Sequence, residues 1–423
     1  MSEWQEVYLN EAFDIGSGLS KPAEDFGSGF PFLSFKEIFN NFFIPEELPE
    51  LVESSEDERD KCSVKKGDVF LTRTSETVKE LGMSCVALKD YKNATFNGFT
   101  KRLRPNGNFE IVPEYAGYYF RSSKFRNEVT ALSSASTRAS LNNEMLGRLK
   151  IVLPSRIEQA NIAAVLICLD RKIENLRKQN ETLETIAQTL FKHWFVDFEF
   201  PNKDGKPYKS SGGEMVRSEL GEIPVSWQVH KLGNVVKKSN TGADAIQKAP
   251  IVEKNTGIRC LRVGDLTNNR LFEDWGYCEV TQKNFEQYRL RKNDILVTRT
   301  SSLGLNLLIT HDLPAIFNNG LIRINFHENV NQVLIYCFLQ SRRFKEHIGK
   351  ITYETSTRPN MQINYLLDFP ILEVDKNIEK EFSDLVSKTL SKIDSNKRQI
   401  QTLIKTRDVL LPQLMSGKLR ITE

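Results

Sequence analysis

Residues 157–196 read IEQANIAAVLICLDRKIENLRKQNETLETIAQTLFKHWFV. Apolar or small side chains recur at alternating steps of four and three: Ile162, Leu166, Leu169, Ile173, Leu176, then Asn180, Leu183, Ala187, Leu190 and Trp194. This is the seam of a heptad helix. Ser155 supplies an N-cap and Glu158, three residues on, the second half of a capping box. A seam so narrow on a helix of about 40 residues, roughly 60 Å long at ~1.5 Å per residue, needs a partner helix.

The same chain contains one. Phe382, Val386, Thr389, Ile393, Asn396, Ile400, Leu403, Arg407, Leu410 and Leu414 follow the same alternation, and KIENLRKQNETL (Lys172–Leu183) matches KIDSNKRQIQTL (Lys392–Leu403). Each seam carries one asparagine, but in a different heptad slot. Parallel pairing would set each amide against an aliphatic residue, whereas antiparallel pairing brings unlike slots together. Placing Asn180 opposite Asn396 matches Leu176 with Ile400, Leu183 with Ile393, Leu190 with Val386 and Trp194 with Phe382. The expectation is an intramolecular antiparallel coiled coil whose register is set by one buried Asn pair. The alternative is that each helix packs on its own globular domain.

The repeat extends well beyond the helices. FPFLSFKEI (Phe30–Ile38) aligns with IRCLRVGDL (Ile258–Leu266), and VKKGDVFLTRTS (Val64–Ser75) with LRKNDILVTRTS (Leu290–Ser301). Further on, ATFNG (Ala94–Gly98) resembles AIFNNG (Ala315–Gly320), YYFRSSKF (Tyr118–Phe125) resembles YCFLQSRRF (Tyr336–Phe344), and STRASL (Ser136–Leu141) aligns with STRPNM (Ser356–Met361). Landmarks in the same order establish a tandem duplication. Short Val/Ile/Phe/Leu strands broken by Gly, Asn and Pro, with one helix around Tyr115–Thr130 and its counterpart around Val333–Ile348, make each copy an α+β unit followed by a long helix. The expected boundaries are 1–154 and 225–373 for the two modules, 155–197 and 374–423 for the two helices with the tail, and 198–224 for an extended connector rich in Pro, Gly, Ser and Lys.

At 423 residues the chain is too long for one ordinary core. It has no run of 18 apolar residues and no basic-then-apolar start, so a membrane role is not expected and a cytoplasmic place is. Six scattered cysteines without a CxxC pair suit a reducing compartment, and neither they nor the five histidines show metal-ligand spacing. The net charge of +3 hides an uneven distribution: residues 46–60 hold eight acids and one Arg, leaving the remainder at +10. That acidic stretch is expected to be a solvated face turned away from any polyanion, and the rest is compatible with nucleic acid.

Two similar modules related by an approximate two-fold axis suit two short sites on opposite strands of duplex DNA, about one turn or ~34 Å apart. Leu169 to Trp194 spans about 38 Å at ~1.5 Å per residue, so the helices could serve as a ruler. A scaffold for two partner proteins would look similar. The connector flanks FKHWFVDFEFP and YKSSGGEMVRSELGEIPVSW, together with the terminal LLPQLMSGKL (Leu410–Leu419), resemble the specificity subunit of type I restriction-modification systems over nearly the whole chain. The resemblance implies two target-recognition domains joined by central and distal helices. It implies a non-catalytic subunit that reads a split, asymmetric DNA sequence in double-stranded DNA. The implied partners are two modification subunits, which transfer methyl groups from S-adenosylmethionine to adenine N6, and restriction subunits that use ATP and Mg. No cofactor is expected in this chain itself.

Candidate DNA contacts come from the residues. Lys65 and Lys66, and in the second copy Arg291 and Lys292, precede an apolar strand ending in Thr-Arg-Thr-Ser. Arg73 and Arg299 can reach phosphate or guanine edges, and Thr74, Ser75, Thr300 and Ser301 can donate to phosphate oxygens, or the arginines can pin a turn inside the fold. Arg138 and Arg358 of the Ser-Thr-Arg motifs pose the same choice. Lys101, Arg102 and Arg104 against Arg323 differ between copies and are candidate readers of sequence, or ordinary surface charges. The chain has no Asn-Pro-Pro-Tyr or Asp-Pro-Pro-Tyr loop, GxxxxGK[ST] loop or HExxH, so an enzyme is not expected. A pure scaffold would bind without regard to salt, and a standalone regulator would have little use for such long helices.

Overall fold

The computed structural model describes residues 4–74, 80–133, 140–244, 247–354 and 360–421. It divides into two compact units, one of residues 1–175 with 399–423, the other of residues 176–398. Both long helices are continuous, Arg156–Phe195 and Lys376–Met415, and each contributes to both units.

In the first unit a four-stranded antiparallel sheet runs in the order Phe13–Ser17, Thr100–Pro105, Val69–Thr72, Ser84–Val86. A second sheet sets Phe26–Leu33 between Glu50–Val52 and Thr95–Phe96, the last pair parallel. The second unit repeats this plan. Its antiparallel sheet runs Val236–Thr241, Leu321–Phe326, Ile295–Thr298, Asn306–Leu308, and Arg259–Leu261 pairs in parallel with Ala315–Phe317. The strands opened by Trp4-Gln5 and Trp227-Gln228 also correspond: Gln5–Tyr8 pairs with Lys150–Leu153, and Gln228–Lys231 with Pro370–Glu373.

The strands Val69–Thr72 and Ile295–Thr298 are apolar up to their closing threonine because both of their faces are buried. Val69 and Leu71 join a core that includes Ile162, Leu166, Leu414 and Met415 of the two helices, while Phe70 faces a second core with Phe96 and Cys85. In the other unit Ile295 and Val297 share a core with Phe191, Trp194, Phe382 and Val386, and Leu296 faces Phe317 and Cys260. The long helices therefore complete the globular cores as well as pairing with each other.

Within the second unit the helices run antiparallel in the expected register. Asn396 Nδ2 donates to Asn180 Oδ1 at 2.9 Å, and the Trp194 and Phe382 rings lie 5.8 Å apart, the same number of residues along each helix. Leu176 and Ile393 are buried and Leu183 half-buried there, and Ile400, which belongs to the first unit, is buried as well. Within the first unit Arg407, a seam position, donates to Asp170 at 2.8 Å, and Asp170 also accepts from the Tyr118 hydroxyl at 2.6 Å.

Four expectations change. Ser155 caps the first helix, accepting from the Glu158 N–H, but the Glu158 side chain does not close a capping box. Arg420 donates to it twice, at 2.8 and 2.7 Å, and Trp4 Nε1 once, holding the carboxyl below the usual range and tying the C-terminal tail to the N-terminal strand. The single helix expected around Tyr115–Thr130 is two, Pro113–Tyr119 and Ser123–Ser133, and its counterpart is Gln332–Gln340 with Arg342–Glu354. Ser122 and Ser341 accept the N–H of the residue three further on and so restart each helix. The stretch expected to be an extended connector folds back instead. Phe200 stacks on Trp227 at 4.8 Å and on Tyr208 at 4.7 Å, and Met215–Ser218 forms a hairpin with Gly221–Pro224. The acidic stretch is not all solvated, since Val52 is fully buried in a paired strand.

Asn396 is 0% exposed and its own Oδ1 has no partner, so the pair is already a cost. Asn396→Leu alone is expected to lower stability by about 1–3 kcal/mol by orphaning the Asn180 amide. The double variant Asn180→Leu with Asn396→Leu should recover wild-type stability or exceed it. Urea midpoints of the full chain measure both.

Candidate nucleic-acid interface

The motif Thr-Arg-Thr lies at the exit of the buried central strand, and its first threonine is structural. Thr72, fully buried, donates to Glu80 O and accepts from Met83 N–H; Thr298 donates to Ser302 O and accepts from Leu305 N–H. The arginine that follows is held by the same backbone frame in both units. Arg73 N–H donates to Phe99 O and its carbonyl accepts from Leu141 N–H; Arg299 N–H donates to Gly320 O and its carbonyl accepts from Met361 N–H. Thr74 then bridges to Ser140, and Thr300 to Asn360.

The rest of this frame is an asparagine turn. Asn97 N–H donates to Leu33 O at 3.1 Å, and Asn318 N–H to Leu261 O at 3.0 Å, so Ser34 and Arg262 occupy the same place. Gly18 and Gly242 pack directly beneath. A Cβ on either would stand 2.3 Å from the Asn97 or Asn318 carbonyl oxygen.

In the second unit these pieces line an open pocket of about 340 Å³. Arg262, Arg299, Thr300, Asn318, Asn319 and Asn360 supply its polar lining, Gly264 and Gly320 also line it, and among the described residues no acid does. Arg299 Nε donates to Asn360 Oδ1 at 3.0 Å. Arg262 is steadied by Asp265, which is 1% exposed: the Arg262 N–H donates to the carboxylate at 2.9 Å and Nε lies 3.5 Å from it. Two guanidiniums with amide donors, and no carboxylate among the described lining residues, have the chemistry to take phosphate or base edges.

In the first unit Lys101 is 7% exposed, donates to Ser17 Oγ at 2.9 Å, and has its pKa lowered, first by burial and then by the neighbouring Arg73 charge. Arg73 Nε is buried without a hydrogen-bond partner. Phe99, at the place of Gly320, is 60% exposed.

The basic pairs are not part of this cluster. Lys65 and Lys66 lie at the entry of the strand, in a turn where Gly67 has φ +88° and Lys65 N–H donates to buried Asp68. Arg291, Lys292 and left-handed Asn293 repeat it, with Arg291 N–H on Asp294. The four-residue strand puts about 13 Å, at ~3.3 Å per residue, between these turns and the arginines. Arg102 and Arg323, candidate readers, turn donors into the fold, although Arg102 Nε is buried without a partner. Arg102 donates to Ser63 O at 2.7 Å, and Arg323 to Arg289 O and Gln287 O, both at 2.9 Å. Arg104 is bidentate on Asp68. Ser301 is exposed in a left-handed turn, whereas Ser75, Arg138 and Arg358 lie outside the described residues.

Arg262, Asn318, Asn319 and Asn360 were not singled out by sequence. The signal was present in the FPFLSFKEI/IRCLRVGDL and ATFNG/AIFNNG alignments, as positions where one frame carries different side chains.

Known proteins resemble nearly the whole chain. The type I restriction modification DNA specificity domain matches residues 1–185 and 224–404. The chain is 30% identical to the type I restriction enzyme MjaIX specificity subunit of Methanocaldococcus jannaschii, over 100% of this chain and 94% of that one. It is 23% identical to the HindI specificity subunit of Haemophilus influenzae, over 99% and 100%. In fold it is similar to the crystal structure of a type I restriction-modification S subunit from M. genitalium, with a TM-score of 0.61 and 16% identity over 97% of this chain and 96% of that one.

Gly242→Ala and Gly18→Ala each force the asparagine turn to move, at a cost of about 1–3 kcal/mol. Both are expected to lower the melting temperature. Gly264→Ala, with nothing within 4 Å of its new Cβ, should leave it unchanged.

Proposed function

The chain belongs to the type I restriction-modification DNA specificity family, and on that premise we propose that each of its two modules reads one half of a split, asymmetric target in duplex DNA. It performs no catalysis itself. Modification subunits docked along the long helices transfer the methyl group from S-adenosylmethionine to adenine N6, and restriction subunits use ATP and Mg. The seam from Leu169 to Trp194 lies within one continuous helix, and its length of about 38 Å at ~1.5 Å per residue supports a spacer of about one DNA turn, ~34 Å.

One observation carries the reading. The Arg73 and Arg299 frames share their backbone hydrogen bonds, yet present Ser34 against Arg262 and Phe99 against Gly320. A constant frame suits the constant part of DNA, its phosphates; the variable positions suit two different half-sites. A scaffold without DNA would have no use for a pocket lined by two arginines and, among the described residues, by no acid.

The test is co-expression with the modification subunit encoded beside this chain, followed by long-read mapping of N6-methyladenine. The expected result is one split motif, methylated once on each strand with adenines about one turn apart. A stable complex without methylation would favour the scaffold reading, and absence of a complex would remove the partners. In the purified complex, Arg299→Ala is expected to weaken DNA binding across all sequences and reduce the salt slope by about one. Charge reversal at Lys178 or Lys397, Lys178 exposed and Lys397 half-exposed, should weaken assembly without unfolding the chain.

A further inference from the structure

We infer that Arg262 reads a guanine in the half-site of the second module, a role that rests on the half-site reading above. Arg299 and Arg262 line the same cavity but differ in their place in the repeat. Arg299 has a counterpart, Arg73, in the same backbone frame, so its contact is one that both modules make whatever their targets. The sugar-phosphate backbone is that common element. Arg262 has no such counterpart. Its place in the first module is taken by Ser34, which is 5% exposed and whose hydroxyl accepts the Glu37 N–H, so nothing there reaches outward.

The surroundings of Arg262 suit base reading. Its Nε edge rests against Asp265, a carboxylate that is 1% exposed and is also approached by Arg270 at 3.3 Å. A guanidinium steadied at one edge loses little freedom on binding, and a planar two-donor fork matches the O6 and N7 acceptors of guanine in the major groove. Gly264, two residues on, lines the same pocket and has nothing within 4 Å of where a Cβ would stand, whereas a Cβ on Gly320 would meet Val263 at 2.7 Å. The base edge can therefore approach closely. The first module has Lys36 and the exposed Phe99 at these places and would exclude the same edge.

The experiment is the N6-methyladenine map of the full chain co-expressed with its modification subunit, for wild type, Arg262→Lys, Arg262→Ser and Arg299→Ala. Arg262→Lys keeps the charge beside Asp265 but removes the fork, so it serves where Arg262→Ser fails to fold, with melting temperature as the check. Both Arg262 variants are expected to accept other bases at one guanine position of one half-site, discrimination there falling roughly five- to hundred-fold. The other half-site should stay as in wild type, and Arg262→Lys should hold its affinity for random-sequence DNA within about twofold. Arg299→Ala should lower methylation at all sites with the motif intact. A motif unchanged in a folded Arg262→Lys, or relaxation at a position that is not guanine, overturns the inference while leaving the half-site reading standing. A wild-type map without any split motif overturns both.

Discussion

The structure depends on the chain bringing its last residues back to its first module. Leu414 and Met415 are 1% exposed and belong to the same core as Val7, Phe13 and Leu103, and Arg420 binds Glu158 beside Trp4. Without this return the inner face of the first helix, from Ile162 to Leu166, would lack part of its cover. The two long helices are thus walls of the globular cores first and a paired seam second. This explains why their narrow stripe is enough: each end of the stripe is widened by a module.

A second constraint acts at the central strands. Because Val69–Thr72 and Ile295–Thr298 are buried on both faces, neither strand has a side that reaches solvent, and these strands can present functional side chains only where the chain leaves them. At that exit the threonine is used to close the hairpin, the arginine backbone is fixed on two sides, and an asparagine turn is pressed against a glycine. Such a frame is rigid enough to hold different side chains in one geometry. Duplication then allows two sites with a common scaffold and separate chemistry.

Much of this was legible in residues 157–196 and their repeat. Heptad spacing requires a partner, and the unlike slots of Asn180 and Asn396 select antiparallel pairing in one register; the 2.9 Å bond between them in the second unit is what that argument asks for. The order of the landmarks likewise announced two α+β modules. The site was less legible, because charge in a sequence does not say where its donors end. Arg102, Arg104 and Arg323 resemble surface cations in a strand pattern, yet buried carbonyls and the carboxylate of Asp68 take their hydrogen bonds. Lys65 and Arg73, eight residues apart, look like one cluster and stand at opposite ends of a strand.

The sequence by itself determined the duplication, the class of each module, the helix pairing and its register, since all of these follow from periodicity and order along the chain. Only the tertiary structure decided which cations are free to meet a ligand and which are consumed by the fold. It alone brought Arg262, Arg299, Asn318 and Asn360, spread over about a hundred residues, to one cavity. The physical reason is that periodicity is a local property read along one segment. The fate of a hydrogen-bond donor depends on acceptors contributed by distant strands, and only close packing reveals those.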